Sequence, residues 1–73
     1  MREIVQRIVQ RYDNLIQELE DLDREHRDYL QQANGHFPEN AVRERMILAR
    51  DNHRRLQTAL AEKEHLVENY LRG

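Results

Sequence analysis

Residues that break helices occur at one internal place in this chain of 73 residues. Gly35 and Pro38 lie together near the middle, and Gly73 is the last residue. The segments on either side are dominated by Glu, Gln, Arg, Leu and Ala, which lose little conformational freedom on entering a helix. The sequence therefore predicts a single domain over residues 1–73, with a helix over 2–33, a turn over 34–37 and a second helix over 38–72.

The break itself has the chemistry of a helix end followed by a helix start. Glycine is the residue that most easily takes the left-handed conformation that ends a helix, so we expect Gly35 to adopt it, with Asn34 assisting. Proline suits the first turn of a helix because its fixed φ is already helical, and an acidic side chain such as Glu39 is favoured there by the helix dipole. The turn thus predicts a helical hairpin.

Residues suited to a helix–helix seam recur along both arms at alternating steps of three and four. When the chain folds back on itself, positions whose numbers add up to 75 meet, and one register matches every layer. This pattern is typical of an antiparallel coiled coil, so the predicted fold class is all-α, an antiparallel two-helix hairpin. The nine predicted layers are Val5–Tyr70, Ile8–Val67, Tyr12–Lys63, Leu15–Leu60, Leu19–Leu56, Leu22–His53, His26–Ala49, Tyr29–Met46 and Ala33–Val42.

Further apolar residues lie beside the seam of the first arm. Val9, Ile16 and Leu30 are separated by multiples of seven residues, so they share one flank and widen the apolar face to about three positions in seven. A face of that width is typical of helix bundles. We therefore expect a homo-oligomer, a dimer of hairpins that forms a four-helix bundle, with these three residues as the self-association flank.

The charges are arranged in blocks that the hairpin brings side by side. An acidic segment over residues 18–28 faces a basic one over 43–55, and Asp23 and Arg50 are the best candidate for an ion pair between the helices. The formal net charge of −2 weighs against nucleic acid as the main partner. An RNA-binding bundle nevertheless remains an alternative, with a basic face made of Arg43, Arg45, Arg50, Arg54 and Arg55.

Two histidines, His26 and His53, fall on predicted seam positions. They are interpreted first as polar residues that set the helix register, second as a pH-sensitive pair whose protonation would load charge into the seam, and third as metal ligands. The Glu62–His65 spacing also places two ligand types on one helix face, but it occurs once, so chance explains it. No metal site is therefore predicted.

The composition offers no catalytic machinery. The chain has no cysteine and no serine, and its one threonine, Thr58, lies in mid-helix without a glycine-rich loop. We expect a protein that is not an enzyme and has no cofactor and no small-molecule substrate. No apolar run approaches the roughly 18–20 residues of a membrane span, and no signal peptide is evident, so a cytoplasmic protein without a membrane partner is expected.

Two segments resemble a known family. The tip, Gly35-His36-Phe37-Pro38-Glu39-Asn40-Ala41, and the stretch from Leu15 to Leu22 look like parts of the amino-terminal coiled coil of Gre-type transcript cleavage factors. In that family the hairpin enters the secondary channel of RNA polymerase, and two acidic residues at its tip help to hold a catalytic magnesium ion. By this resemblance Glu39 corresponds to one of the acids, whereas His36 stands where the other is expected.

The function predicted from the residues is a small, non-enzymatic protein-interaction or structural module that self-associates, and a second protein is a further possible partner. Three alternatives stay open. One is a regulator that binds RNA polymerase through the Glu39 tip, and another is the arginine-rich RNA-binding bundle. The third is a designed helical bundle, suggested by the regular heptad register, although the irregular tip and the Ile47-Leu48 pair fit a natural sequence better.

Overall fold

Two long helices run antiparallel over residues 1–33 and 35–72, the part of the chain that the computed structural model describes. Helix α1 spans Arg2–Gln32 and helix α2 spans Glu39–Leu66, and α2 continues directly into a π-helical turn over Val67–Leu71. The hairpin is 52 Å long and 14 Å across in both other directions. This confirms the predicted all-α, two-helix hairpin. Asn34, which was expected to assist the turn, lies outside the described residues, as does Gly73.

The turn follows from a few backbone conformations. Gly35 has a φ of +82°, as predicted, and this left-handed conformation is one that residues with a Cβ rarely adopt. At the end of α1 the Ala33 N–H donates to the Tyr29 carbonyl at 2.9 Å. Pro38 stands immediately before α2, and its carbonyl accepts the first helical hydrogen bond, from the Val42 N–H at 3.2 Å. The chain therefore reverses within a few residues, which forces α1 and α2 into contact.

The core lies midway along the hairpin. Ile16 and Leu19 of α1 pack with Leu56 and Ala59 of α2, and Tyr12 packs against this cluster. Burying each large aliphatic side chain contributes about 1.5–3 kcal/mol, so this cluster is the main source of apolar stabilisation inside one chain. The pairing of large Ile16 and Leu19 with small Ala59 allows the two helices to lie close together.

Contacts between the helices agree with the predicted register. Asp13 pairs with Lys63, Asp23 lies near His53, and the side chain of Asn52 reaches the backbone of Leu19. The numbers of these partners add up to between 71 and 76, close to the predicted 75.

The predicted seam is wrong in alternate layers. Ile8, Leu15 and Leu22 of α1 were placed in the seam but are exposed, and residues one position further along are buried or half-buried in their place. In α2 the shift runs the other way, and Ala59, one position earlier in the chain, lies in the seam instead of Leu60. The cause is the width of the apolar face of α1, which spans three heptad positions. A single partner helix covers only two of them, so one row stays exposed.

The π-helical turn changes the seam near the end of the chain. Tyr70 was expected in the outermost layer, but it is exposed, and Leu71 is half-buried instead. A π-turn bonds residues five apart, here with the Arg72 N–H donating to the Val67 carbonyl at 2.8 Å. The additional residue per turn rotates the inward-facing position from residue 70 to residue 71.

Candidate self-association surface

An apolar row runs along α1 beside the seam. Ile8, Leu15 and Leu22 are separated by seven residues, so they lie above one another, with 39%, 43% and 43% of their surfaces exposed. We call these three residues the α1 stripe. The flank predicted for self-association was Val9, Ile16 and Leu30, and that assignment is corrected because Ile16 is buried in the core and the other two are half-buried.

Leu15 of the α1 stripe lines a groove between the two helices. This front groove has a volume of about 360 Å³. Its floor is mainly apolar, and charged residues of α2 form its far rim. A second recess, which includes Ile8 and Arg11, continues it toward the start of α1. The front groove is lined by Tyr12, Leu15, Leu19, Arg54, Arg55, Thr58, Ala59 and Glu62.

A hydrogen bond crosses the front groove. The Tyr12 hydroxyl donates to the Glu62 carboxylate. This hydrogen bond, together with partial desolvation and the negative charge of Glu62, raises the pKa of Tyr12 above its ordinary value of 10.0. On the same rim Arg55 forms an exposed ion pair with Asp51 at 3.2 Å, one helical turn away. The α2 rim thus carries a basic end at Arg55 and an acidic end at Glu62.

The opposite side of the hairpin has a different character. Its groove, the back groove, contains the apolar side chain of Leu60, but charged residues of α1 surround it. Asp23 accepts a hydrogen bond from Arg27 at 3.2 Å and lies 3.8 Å from His53. The back groove is lined by Glu20, Asp23, Arg24, Arg27, Leu56 and Leu60.

The buried polar residues of the seam are His26 and Asn52. The Asn52 side-chain amide donates to the Leu19 carbonyl at 3.0 Å, which fixes one helix against the other. The predicted seam position of His53 is wrong, because its side chain is 59% exposed, whereas His26 is buried as predicted. The same one-residue shift that exposes Leu60 places Asn52, and not its neighbour His53, in the seam. The role of His26 and His53 in a pH response stays a prediction.

His26 belongs to a cluster close to the tip. Its Nδ1 lies 3.4 Å from the guanidinium of Arg45, a group that can only donate. The Arg45 guanidinium also lies 4.1 Å from the centre of the Tyr29 ring, and that ring contacts Phe37 with centroids 5.1 Å apart. This cluster ties the turn to both helices.

The structure differs from the prediction at both the ion pair and the basic face. No salt bridge joins Asp23 to Arg50 within residues 1–33 and 35–72. The seam shift turns Asp23 inward, where it meets Arg27 and His53. Of the five arginines proposed as a basic face, Arg45 is held in the tip cluster and Arg55 borders the front groove. At 100° per residue, Arg43, Arg50 and Arg54 share the outer side of α2, and the Arg54 side chain also lines the front groove.

The tip acid predicted from the family resemblance is accessible. The Glu39 side chain is almost fully exposed in the first turn of α2, and it pairs with Arg43 at 3.3 Å. Groups of three or more His, Cys, Asp or Glu side chains that could hold a metal ion are absent from the described residues. The correspondence with Gre-type factors stays a prediction.

Two features of the candidate surface were not predicted from the sequence. Asn52 was passed over for its neighbour His53, although its position four residues before Leu56 places it on the same helix side. The α1 stripe was assigned to the seam, because its spacing of seven residues is shared by the neighbouring row that contains Ile16 and does not distinguish the two rows. Neither α1 nor α2, over the residues described, has an apolar segment long enough to cross a membrane. Comparisons with protein-family models, curated proteins and solved structures found no match.

Proposed function

We propose that this protein is a self-associating helical hairpin, a non-enzymatic module for protein interaction or structural assembly. The observation that carries the proposal is the α1 stripe, three exposed aliphatic residues in register. Leu15 lines the front groove, whose floor is apolar, and Ile8 lines the recess that continues it. Contiguous apolar surface of this kind is typical of binding sites, whereas single exposed aliphatic residues are ordinary.

The exposed surface of the chain supports the same function. Its accessible surface is 6067 Å². A compact monomer of 8.9 kDa would expose about 4,800 Å², so this hairpin exposes about 1,250 Å² more than a compact fold of its mass. Stable interfaces typically cover about 800 Å² on each partner. The hairpin therefore has enough excess surface for one such interface along its length.

The energy available from the α1 stripe sets the strength of the association. Completing the burial of a leucine or isoleucine that is about 40% exposed contributes about 0.6–1.2 kcal/mol. Six such side chains in a dimer contribute about 4–7 kcal/mol before the floor of the front groove is added. A micromolar dissociation constant corresponds to about 8 kcal/mol, and association also costs about 4–15 kcal/mol in lost freedom of motion, so the stripe must act together with the floor of the front groove to give the micromolar dimer that we propose.

Sedimentation velocity over a concentration series from about 1 to 500 µM tests this function, since that range brackets the expected dissociation constant. The wild-type chain should shift from a species of 8.9 kDa toward one of twice that mass. Leu22→Glu places a charge in the α1 stripe and should keep the chain monomeric. Ile47→Glu is the matched control, because Ile47 is 61% exposed but borders neither groove.

The outcomes separate this function from the alternatives. A wild-type chain that stays at 8.9 kDa at the highest concentration would contradict self-association. If that monomer binds immobilised RNA in a salt-dependent way, the arginine-rich alternative is favoured, because phosphate contacts by arginine weaken as salt rises. If instead it co-purifies with RNA polymerase and Glu39→Ala weakens the interaction, the tip alternative is favoured.

A further inference from the structure

We infer that the second copy docks with its α1 antiparallel to the first α1, about a two-fold axis that passes through Leu15. The inference rests on the proposed function and adds its geometry. In this arrangement Leu15 meets Leu15 of the partner copy, and Ile8 of each copy meets Leu22 of the other. The α1 stripe is symmetric about Leu15, with one aliphatic residue seven positions away on either side, so this pairing leaves every stripe residue with an apolar partner.

Two hairpins that overlap fully, front groove to front groove, have two possible two-fold axes. An axis along the hairpin would place α1 of one copy over α2 of the other, and the α1 stripe would then face the charged rim that contains Arg55 and Glu62. An axis perpendicular to the hairpin places α1 over α1 and α2 over α2. Only the perpendicular axis keeps the aliphatic row away from these charged side chains, whose desolvation is costly.

The charges on α2 fit the perpendicular axis independently. Contacts between α1 and α2 join residues whose numbers add up to between 71 and 76, so Leu15 lies level with residues 56–61 of α2. Arg55 lies on one side of this span and Glu62 on the other. A two-fold axis through the span therefore brings Arg55 of each copy to the level of Glu62 of the other. Two complementary pairs form, one at each side of the axis.

Arg55 and Glu62 can contact the second copy without breaking strong contacts inside their own chain. Arg55 is bonded to Asp51 in an exposed pair within α2, and such pairs are weak. Glu62 accepts from Tyr12, and its carboxylate has further lone pairs for an arginine. Neither residue has to leave a buried site in order to meet the second copy.

Site-specific cross-linking tests the geometry directly, because the chain contains no cysteine. Leu15→Cys should form a covalent dimer under mild oxidation, since the two side chains meet at the axis. Ile8→Cys alone should not, because the two copies of residue 8 lie 14 positions apart along antiparallel helices, about 21 Å. A mixture of Ile8→Cys and Leu22→Cys chains should cross-link to each other. Ile47→Cys, outside both grooves, is the control and should react at least ten-fold more slowly than Leu15→Cys.

Charge reversal provides a second test. Arg55→Glu and Glu62→Arg should each weaken the homodimer about ten-fold, since each places like charges together twice. A mixture of the two variants should recover dimerisation, because every contact across the axis then joins an acid to a base. Recovery in the mixture requires Arg55 and Glu62 to meet between copies, and their contacts with Asp51 and Tyr12 inside one chain could not produce it.

Different experimental results would contradict the docking geometry and the proposed self-association. A dimer in sedimentation whose Leu15→Cys variant cross-links no faster than Ile47→Cys would overturn the antiparallel geometry and leave self-association standing. Rapid cross-linking of Ile8→Cys to itself would overturn it as well. A chain that remains monomeric in sedimentation overturns the function and the geometry together.

Discussion

The front and back grooves of this hairpin both contain an exposed leucine, yet their surroundings differ. Leu15 at the front belongs to a row of three aliphatic side chains, and the floor beside it is apolar. Leu60 at the back is exposed to nearly the same degree, but Glu20, Asp23 and Arg24 surround it. An exposed leucine therefore marks a binding surface only when its neighbours can also be desolvated at little cost, as they can at the front.

The difference arises from the way one partner helix covers α1. The apolar face of α1 is three heptad positions wide, and α2 covers two of them, which leaves the α1 stripe exposed at the front. At the back the flanking positions of α1 carry charges that engage α2 or α1 itself, as in the Asp13–Lys63 pair. The back groove is thus complete within one chain, and the front groove is completed by a second copy in our proposal.

The largest contrast is expected for charge inserted into the two grooves. Leu15→Glu should abolish dimerisation, with a dissociation constant raised more than about 100-fold, because two carboxylates would meet at the axis. Leu60→Glu should change the dissociation constant less than about three-fold, since the back groove already holds solvated charges. Sedimentation velocity measures both constants. Equal effects of the two variants would show that the faces are equivalent and would contradict the proposal.

The next contrast separates the core from the back groove within α2. Leu56→Ala should lower the free energy of unfolding by about 2–5 kcal/mol, because it leaves a cavity against Ile16 and Leu19. Leu60→Ala, four residues away, should cost less than about 1 kcal/mol because its side chain is already partly in water. Urea unfolding followed by circular dichroism, at one fixed protein concentration, measures both. A larger loss in the free energy of unfolding for Leu60→Ala than for Leu56→Ala would show that Leu60 lies in the seam.

A smaller effect is expected for the ion pair at the back. Asp13 and Lys63 are both partly exposed, so a double-mutant cycle with Asp13→Asn and Lys63→Gln should give a coupling of about 0.2–1 kcal/mol in the free energy of unfolding. Neither variant should alter the dimer dissociation constant. A change in association of more than about three-fold would show that the back face also takes part in docking.

The smallest effect concerns the Tyr12–Glu62 hydrogen bond at the front. Because the pKa of Tyr12 in the folded chain is raised above 10.0, the stability that this bond contributes is complete below pH 10 and is lost as the pH rises through the raised value. Glu62→Gln removes the carboxylate and should lower the pKa of Tyr12 toward 10.0. Absorbance titration of the tyrosinate, with Tyr12→Phe to assign the signal, measures the shift. An unchanged titration in Glu62→Gln would contradict the contact.

Much of the fold followed from the sequence because a few local features determine it. The single internal break at Gly35 and Pro38 predicted the hairpin, and the heptad steps predicted the register between the helices. Alternate layers could not be predicted, because Leu15 and Ile16 both satisfy the same period. The choice between them depends on which row meets Ala59 and lets the helices lie closest, and that is a property of the packed pair.

The site was predicted less well than the fold for the same reason. A surplus of apolar positions indicated that one row would remain exposed, but the row chosen was Val9, Ile16 and Leu30, whereas the structure exposes the α1 stripe. Similarly, Asn52 and His53 are polar neighbours, and only the nearby Leu19 carbonyl shows why Asn52 occupies the seam. The π-turn at Val67–Leu71 contains no glycine or proline and so has no local signal in the sequence.

Small-angle X-ray scattering tests the side-by-side association most directly, because it measures mass and shape on the same sample. The radius of gyration of one hairpin is 16.4 Å. Two hairpins that overlap fully, with helix axes about 10 Å apart, should have twice the mass of 8.9 kDa and a radius of gyration near 17 Å. A doubled mass with a radius of gyration well above 20 Å would indicate end-to-end contact, and a mass of 8.9 kDa at about 500 µM would show that the hairpin stands alone. Either result would contradict docking through the front groove.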